Sequence, residues 1–216
     1  MDYTTLTADK NTAGSIANWA NSSQLQAAAS TIVAEAEAFI YRRLRHWQML
    51  VEVNGVSMAT GNDNIGVPAN FLEVKSFYIT GVNFAKLTLK TEEEVKAAYQ
   101  YDGSGNRVNQ QPEIFYFNST QIKFDSPPDQ DYPYEFVYYG QPTPLSASNP
   151  TNFLTATYPR LMRCACMSQA SEFMKDAGMG NYDRTYWDQA ALAEIDAAQT
   201  ESDRSRRAIE VGMILV

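Results

Sequence analysis

PPDQDYPYEFVYYGQPTPLSASNPTNFLTATY, residues Pro127 to Tyr158, holds an aromatic strand, a proline-rich exit and a capped helix start in fixed order. Tyr134, Phe136 and Tyr138 alternate as in a half-buried strand, since successive strand side chains point to opposite faces. Gly140, Pro142 and Pro144 then deny any continuation of that strand, because proline has no N–H for a ladder and fixes its own backbone torsion. After Asn149-Pro150-Thr151-Asn152 the apolar residues fall at helical spacing, with Asn and Thr oxygens placed to accept from the exposed amides of a first turn. The chain changes architecture here, from sheet to helix.

Working outward, the segment before Pro127 reads as β-rich back to Trp47. Period-two patterning predicts strands at Gln48 to Val53, Phe71 to Ile79, Glu113 to Phe117, Gln121 to Phe124 and Tyr134 to Tyr139. Asn54-Gly55 and Asn118-Ser119-Thr120 predict tight hairpin turns, and Gly61-Asn62-Asp63-Asn64 a looser connection. Thr91 followed by Glu92, Glu93 and Glu94 predicts a short helix through Tyr99, with Thr91 as its cap and the carboxylates at the positive end of the helix dipole. That role outweighs a metal-binding reading of the three glutamates.

The two ends of the chain are helical. Thr12 to Asn21 is a short amphipathic segment with Ile16 and Trp19 on one face. Ser22-Ser23 predict the start of a longer helix to about Arg45, carrying Leu25, Ala29, Ile32, Ala36, Phe39, Ile40 and Leu44. Arg42, Arg43 and Arg45 would fill its last turn, where cations complement the dipole. The alternative for that cluster is a partner-binding patch. Beyond the junction, Pro159 suits the first turn of a helix to about Lys175, with Met162, Ala165, Cys166, Ala170 and Phe173 on one face. Gly178 and Gly180 break the chain, and a last helix from about Tyr182 to Arg206 carries Trp187, Ala191, Ile195 and Ala198. The tail RAIEVGMILV alternates at Ile209, Val211, Met213 and Leu215 like a strand, which invites pairing with a partner subunit or a return to the chain's own sheet edge.

The fold class is therefore α+β: a helical bundle formed by the N-terminal and C-terminal helices, with a β-rich, sandwich- or barrel-like insertion between them. The domains expected are 1–46 with 147–206 as the bundle, 47–146 as the insertion and 207–216 as a C-terminal extension.

In their order, these segments resemble the head-to-tail adaptor (connector, neck) proteins of tailed bacteriophages. The resemblance is carried by Pro127 to Tyr132, Pro142 to Leu154 and Tyr158-Pro159. It extends to Ile16 to Trp19 with Gln24-Leu25, to Ala34-Glu35-Ala36-Glu37 running to Arg42-Arg43-Leu44-Arg45, and to Val67 to Val74. The chain departs from the family pattern at Phe153, where a tryptophan is expected, and in the glycine-rich stretch Asp102 to Asn106. The resemblance implies a structural virion protein, not an enzyme, made in the host cytoplasm and placed in the neck between capsid and tail. It implies a homo-oligomeric, dodecameric ring that binds the portal protein and the tail or tail-completion proteins. DNA would pass the lumen during genome ejection without specific binding. Ile209, Val211, Met213 and Leu215 are the residues expected to contact the portal or another partner.

Composition sets the outer limits. The 216 residues are 44% hydrophobic and 12% aromatic, enough for a real core. No apolar run approaches the ~20 residues a membrane span needs, and the start Met1-Asp2-Tyr3-Thr4 lacks a signal-peptide pattern. No membrane association is expected. A net charge of -8 argues against a nucleic-acid binder, whose affinity would come from Lys and Arg on phosphates. Acidity serves solubility, or a lumen wall that repels phosphates.

The residues offer little chemistry. His46 is the sole histidine and is expected at the end of the long helix, with no second His or Cys placed for a metal. No serine sits in a nucleophile-elbow pattern, and Gly103-Ser104-Gly105-Asn106 lacks the Lys-Ser/Thr of a phosphate loop. Asp125, Asp129 and Asp131 beside Pro127-Pro128 read as turn formers. Cys164 and Cys166 cannot pair with each other from one helix and read as small core residues. No cofactor is expected. The aromatic group of Phe115, Tyr116, Phe117, Phe124, Tyr132, Tyr134, Phe136, Tyr138 and Tyr139 supports the alternative function, a carbohydrate- or protein-binding β module.

Overall fold

The computed structural model of the chain describes residues 1–81, 84–176 and 183–214, with residues 176 and 206–214 described by backbone alone. It divides into two compact units, Met1–Gln48 with Pro142–Val216, and Met49–Gln141. The fold is α+β, with helices flanking a region of two sheets along the chain.

In the first unit, two single-turn helices precede the long one. α1 (Tyr3–Leu6) and α2 (Ile16–Trp19) are each started by a side-chain cap: Asp2 accepts from Thr5 N at 2.8 Å, and Ser15 from Asn18 N at 2.9 Å. α3 (Leu25–Tyr41) starts after Gln24, which makes no side-chain cap. The helix expected from Ser22-Ser23 to Arg45 is thus shorter at both ends. Its buried stripe of Leu25, Ala29, Ile32, Val33, Ala36 and Ile40 follows the three-and-four spacing. Arg42, Arg43 and Arg45 lie beyond the last turn, yet Arg45 turns back and donates to the carbonyls of Tyr41 (2.8 Å) and Leu44 (2.9 Å). It closes the helix as a cationic cap, while Arg43 lies over the Phe39 ring at 4.5 Å. His46 is not a terminal helix residue; it sits in the following segment and is only 1% exposed.

Among the described residues, the second unit holds eight strands. β1 (Leu50–Met58), β8 (Tyr132–Gly140), β3 (Phe71–Ile79) and β4 (Ala85–Lys86) form one sheet in that order; β2 (Asn64–Gly66), β7 (Gln121–Phe124), β6 (Ile114–Asn118) and β5 (Thr88–Leu89) form the other. All pairings are antiparallel except β5 with β6. The expected turn at Asn118 to Thr120 joins β6 to β7, with Ser119 at φ 47°. The expected turn at Asn54-Gly55 is instead a bulge inside β1, whose register against β8 shifts between Val53 and Val56 while Gly55 takes φ 71°. The same left-handed preference that makes Asn-Gly a hairpin turn lets it absorb an extra residue here. α4 (Glu92–Ala97) carries the full capping box between Thr91 and Glu94 and ends short of Tyr99.

Both sheets feed one core. Phe77 of β3 lies 5.2 Å from Phe115, 5.9 Å from Phe124, 5.5 Å from Tyr134 and 5.0 Å from Phe136, ring to ring. Met58, Ile79, Leu87, Ile122, Tyr132 and Tyr138 complete the cluster, each buried large side chain contributing about 1.5–3 kcal/mol of transfer free energy.

After the junction, α5 (Phe153–Thr157) leads into α6 (Pro159–Asp176), and α7 (Arg184–Ile214) follows. From Leu161 to Met167 only Arg163 faces solvent, so α6 is covered on more than one side. Phe173, expected on its buried face, is 40% exposed. α6 and α7 run antiparallel: Arg160 pairs with Glu194 at 3.1 Å, Ser168 donates to Asp188, and Glu172 pairs with Arg184 at 2.8 Å. α3 packs on α6 as well. Gly178 and Gly180 lie outside the described residues. The strand expected in the tail is corrected: the backbone at Ile209, Val211 and Met213 continues α7 as helix, and Leu215 lies outside the described residues. A continuing helix satisfies its own amides, whereas a lone terminal strand leaves its backbone groups unpaired.

Candidate assembly surfaces

The proline-rich exit is held by one buried carboxylate. Glu37 on α3 is 3% exposed. Its Oε2 accepts the backbone N–H of Leu145 at 3.0 Å, and its Oε1 accepts from Asn152 Nδ2 at 2.8 Å and from the Tyr41 hydroxyl at 3.3 Å. Asn152 does double duty, because its Oδ1 caps α5 by accepting from Thr155 N at 3.2 Å. Burial raises the Glu37 pKa above the ordinary carboxylate value, opposed by these donors. The turn Pro144 to Asn149 is closed locally, with Asn149 Nδ2 donating to the carbonyls of Thr143 and Pro144 at 3.0 Å. Sequence reading found Asn152 as a cap and missed its meeting with Glu37, since 115 residues separate the two.

The exposed side of the same unit carries a cleft of about 490 Å³ between α3, α6 and α7. Phe39, Ala38 and Phe173 give it an apolar floor, and Glu35, Arg42, Glu172 and Arg184 a rim of both charges. Apolar centre and charged rim are the anatomy of a protein contact. Sequence patterning missed it because Phe39 and Phe173 both fit the core stripes of their helices. The expected contact residues Ile209, Val211 and Met213 lie far along α7, on its final turns.

The features that suggested chemistry are occupied by structure. Asp102 accepts from Ser104 N and Asn106 N, both at 2.8 Å, so the amides of the glycine-rich loop serve their own carboxylate. Asp125 accepts from Glu113 N (3.1 Å) and Ile114 N (3.4 Å), Asp129 from the Tyr132 hydroxyl (2.7 Å), and Asp131 from Thr60 N and Oγ1 (2.8 Å each). Burial raises the Asp125 pKa, whereas the Thr60 donors lower that of Asp131. Among the described residues, no group of three or more His, Cys, Asp or Glu is placed to hold a metal, and no helix is long and apolar enough to cross a membrane. Cys164 and Cys166 are free and buried. Of the nine strand aromatics, seven are buried and Phe117 and Tyr134 half-buried. They build the core and leave little ring face for a sugar or peptide.

Residues 1–212 match the family model described as SU10 adaptor protein. No curated protein matches the chain.

Proposed function

The chain belongs to the SU10 adaptor protein family, a phage head-to-tail adaptor family of structural, non-enzymatic proteins, and on that premise we propose that it forms a ring under the portal and connects the capsid to the tail. The observation that carries this reading is the family match along nearly the whole chain. In this account the two helical ends form the bundle that makes the ring body, with 47–146 as an insertion and 207–216 as an extension. Identical subunits meet head to tail, one surface against a different surface of the neighbour, and the rotation closes into a dodecamer. The net charge of -8 suits a channel that lets DNA slide past without sticking.

The portal contact is assigned to Ile209, Val211, Met213 and Leu215. The helical backbone through Ile214 favours docking of a helix end into an apolar groove over strand addition. Deleting residues 208–216 tests this. The truncated chain should keep its fold, because both sheets and the α6–α7 ion pairs lie elsewhere, and should lose binding to the portal protein in co-sedimentation. Portal binding equal to that of the full chain contradicts the assignment.

A further inference from the structure

Three backbone amides leaving α3 are tied to side chains in one small region. Arg45 N–H donates to Gln199 Oε1 at 2.9 Å, and Trp47 N–H donates to Ser202 Oγ at 2.9 Å, both acceptors on α7. Between them His46 is buried, stacked on Phe153 at 5.6 Å and edge-on to Tyr158 at 5.4 Å. Its Nδ1 accepts the N–H of Gln48 at 3.2 Å. The proton of the neutral ring therefore sits on Nε2, which donates to the Tyr158 hydroxyl at 3.0 Å. The Tyr158 hydroxyl in turn donates a hydrogen bond to Glu201 Oε2 at 3.0 Å. Residues 45–48 thus form a strap over residues 199–202 of α7, and the imidazole fixes the strap's own turn at Gln48 while reaching α7 through Tyr158 and Glu201.

We propose that His46 makes this strap acid-opened: the neutral ring, by accepting from Gln48, sets the turn that presents the Arg45 and Trp47 amides to α7, and a second proton on Nδ1 undoes that turn and releases them. An imidazolium has no lone pair for Gln48 N–H, so two donors would face each other in a buried site, which costs the hydrogen bond and the desolvation of a charge. The charged groups around the ring do not remove that cost. Glu201 faces it through Tyr158, Arg45 has turned its guanidinium back onto Tyr41 and Leu44, Asp203 accepts from Gln199, and Arg160 pairs with Glu194. Burial lowers the His46 pKa, with Glu201 opposing. A depressed folded pKa means that the contribution is complete above the ordinary value of 6.5 and is lost as pH falls below it. Opening the strap frees α7 from residue 199 onward, the part of the helix that leads to the tail.

Residue-resolved hydrogen exchange on the full chain, compared at about pH 7.5 and about pH 5 and corrected for intrinsic rates, reads the strap directly. In the wild type, the amides of Trp47 and Gln48 and those of residues 199–205 should lose protection by roughly tenfold at the lower pH. His46→Gln keeps a donor toward Tyr158 but cannot titrate, and its protection should not change with pH. Equal loss in the variant, or none in the wild type, overturns the proposal. Glu37 acts with the opposite sign, and its effect would be read at the Leu145 amide instead. Because the chain has one histidine, its ring proton resonance gives a second reading that needs no variant. The midpoint of ring titration must coincide with the midpoint of lost protection, and separate midpoints reject the strap.

Discussion

Asn152 caps α5 with its oxygen and reaches Glu37 of α3 with its nitrogen, so one side chain fixes where the C-terminal helices begin. Replacing it by alanine removes the cap and leaves Glu37 Oε1 with Tyr41 alone, a loss of about 2–3 kcal/mol in urea unfolding at neutral pH. Asn152→Asp separates the two roles. An aspartate still caps Thr155 N but sets a second carboxylate beside buried Glu37, and like charges there raise both folded pKa values. Stability of that variant should therefore fall as pH rises above the ordinary carboxylate range, and approach that of the wild type near pH ~4. A variant as stable as wild type at pH ~7 would contradict the close approach of the two carboxylates. The sequence shows Asn152 as a cap but gives no sign of Glu37, which reads as one more polar position on an amphipathic helix.

Strand β8 shows how far an element can be read from its residues. Its alternating Tyr134, Phe136 and Tyr138 identify it as a strand, and its flanking prolines mark its end. Its central place between β1 and β3 depends on pairings across about 55 to 90 residues, from Ile79↔Tyr134 to Leu50↔Tyr139, which no local pattern encodes. Gly140 closes this strand because nothing larger fits: a Cβ there would lie 2.8 Å from Asn70 Nδ2 and 2.9 Å from Val51 Cγ2. Gly140→Ala should cost about 1–3 kcal/mol by overpacking, measured as a lower urea midpoint at unchanged slope. Gly103→Ala, with open space around it, should stay within about 0.5 kcal/mol of wild type. Equal midpoints for the two variants would contradict the close packing of β8. The elements that escaped sequence reading are the short ones. β2, β4 and β5 are three residues or fewer, too few for a period to register. The tail misleads for the opposite reason: its apolar run from Val211 to Val216 fits any period, so alternation alone could not select strand over a continuing helix.

At the scale of the molecule, the division into a helical unit and a two-sheet unit follows from the shift between periods three-to-four and two along the chain. The aromatic strands then prove to be core, which removes the main support for a ligand-binding β module. Among the described residues, the surface offers a charged-rim cleft on the helices, a feature suited to contacts with other proteins. The cleft was not legible because a phenylalanine on a helix stripe reads the same whether the neighbour belongs to this chain or to another. The central claim, that copies of this chain close into a ring on the portal, is tested most directly by electron microscopy of the purified protein mixed with assembled portal. The account predicts an added ring of density on one face of the portal, with a dodecameric rotational average and an open channel. Portal particles unchanged by the protein, with the chain remaining monomeric in the same sample, would contradict it.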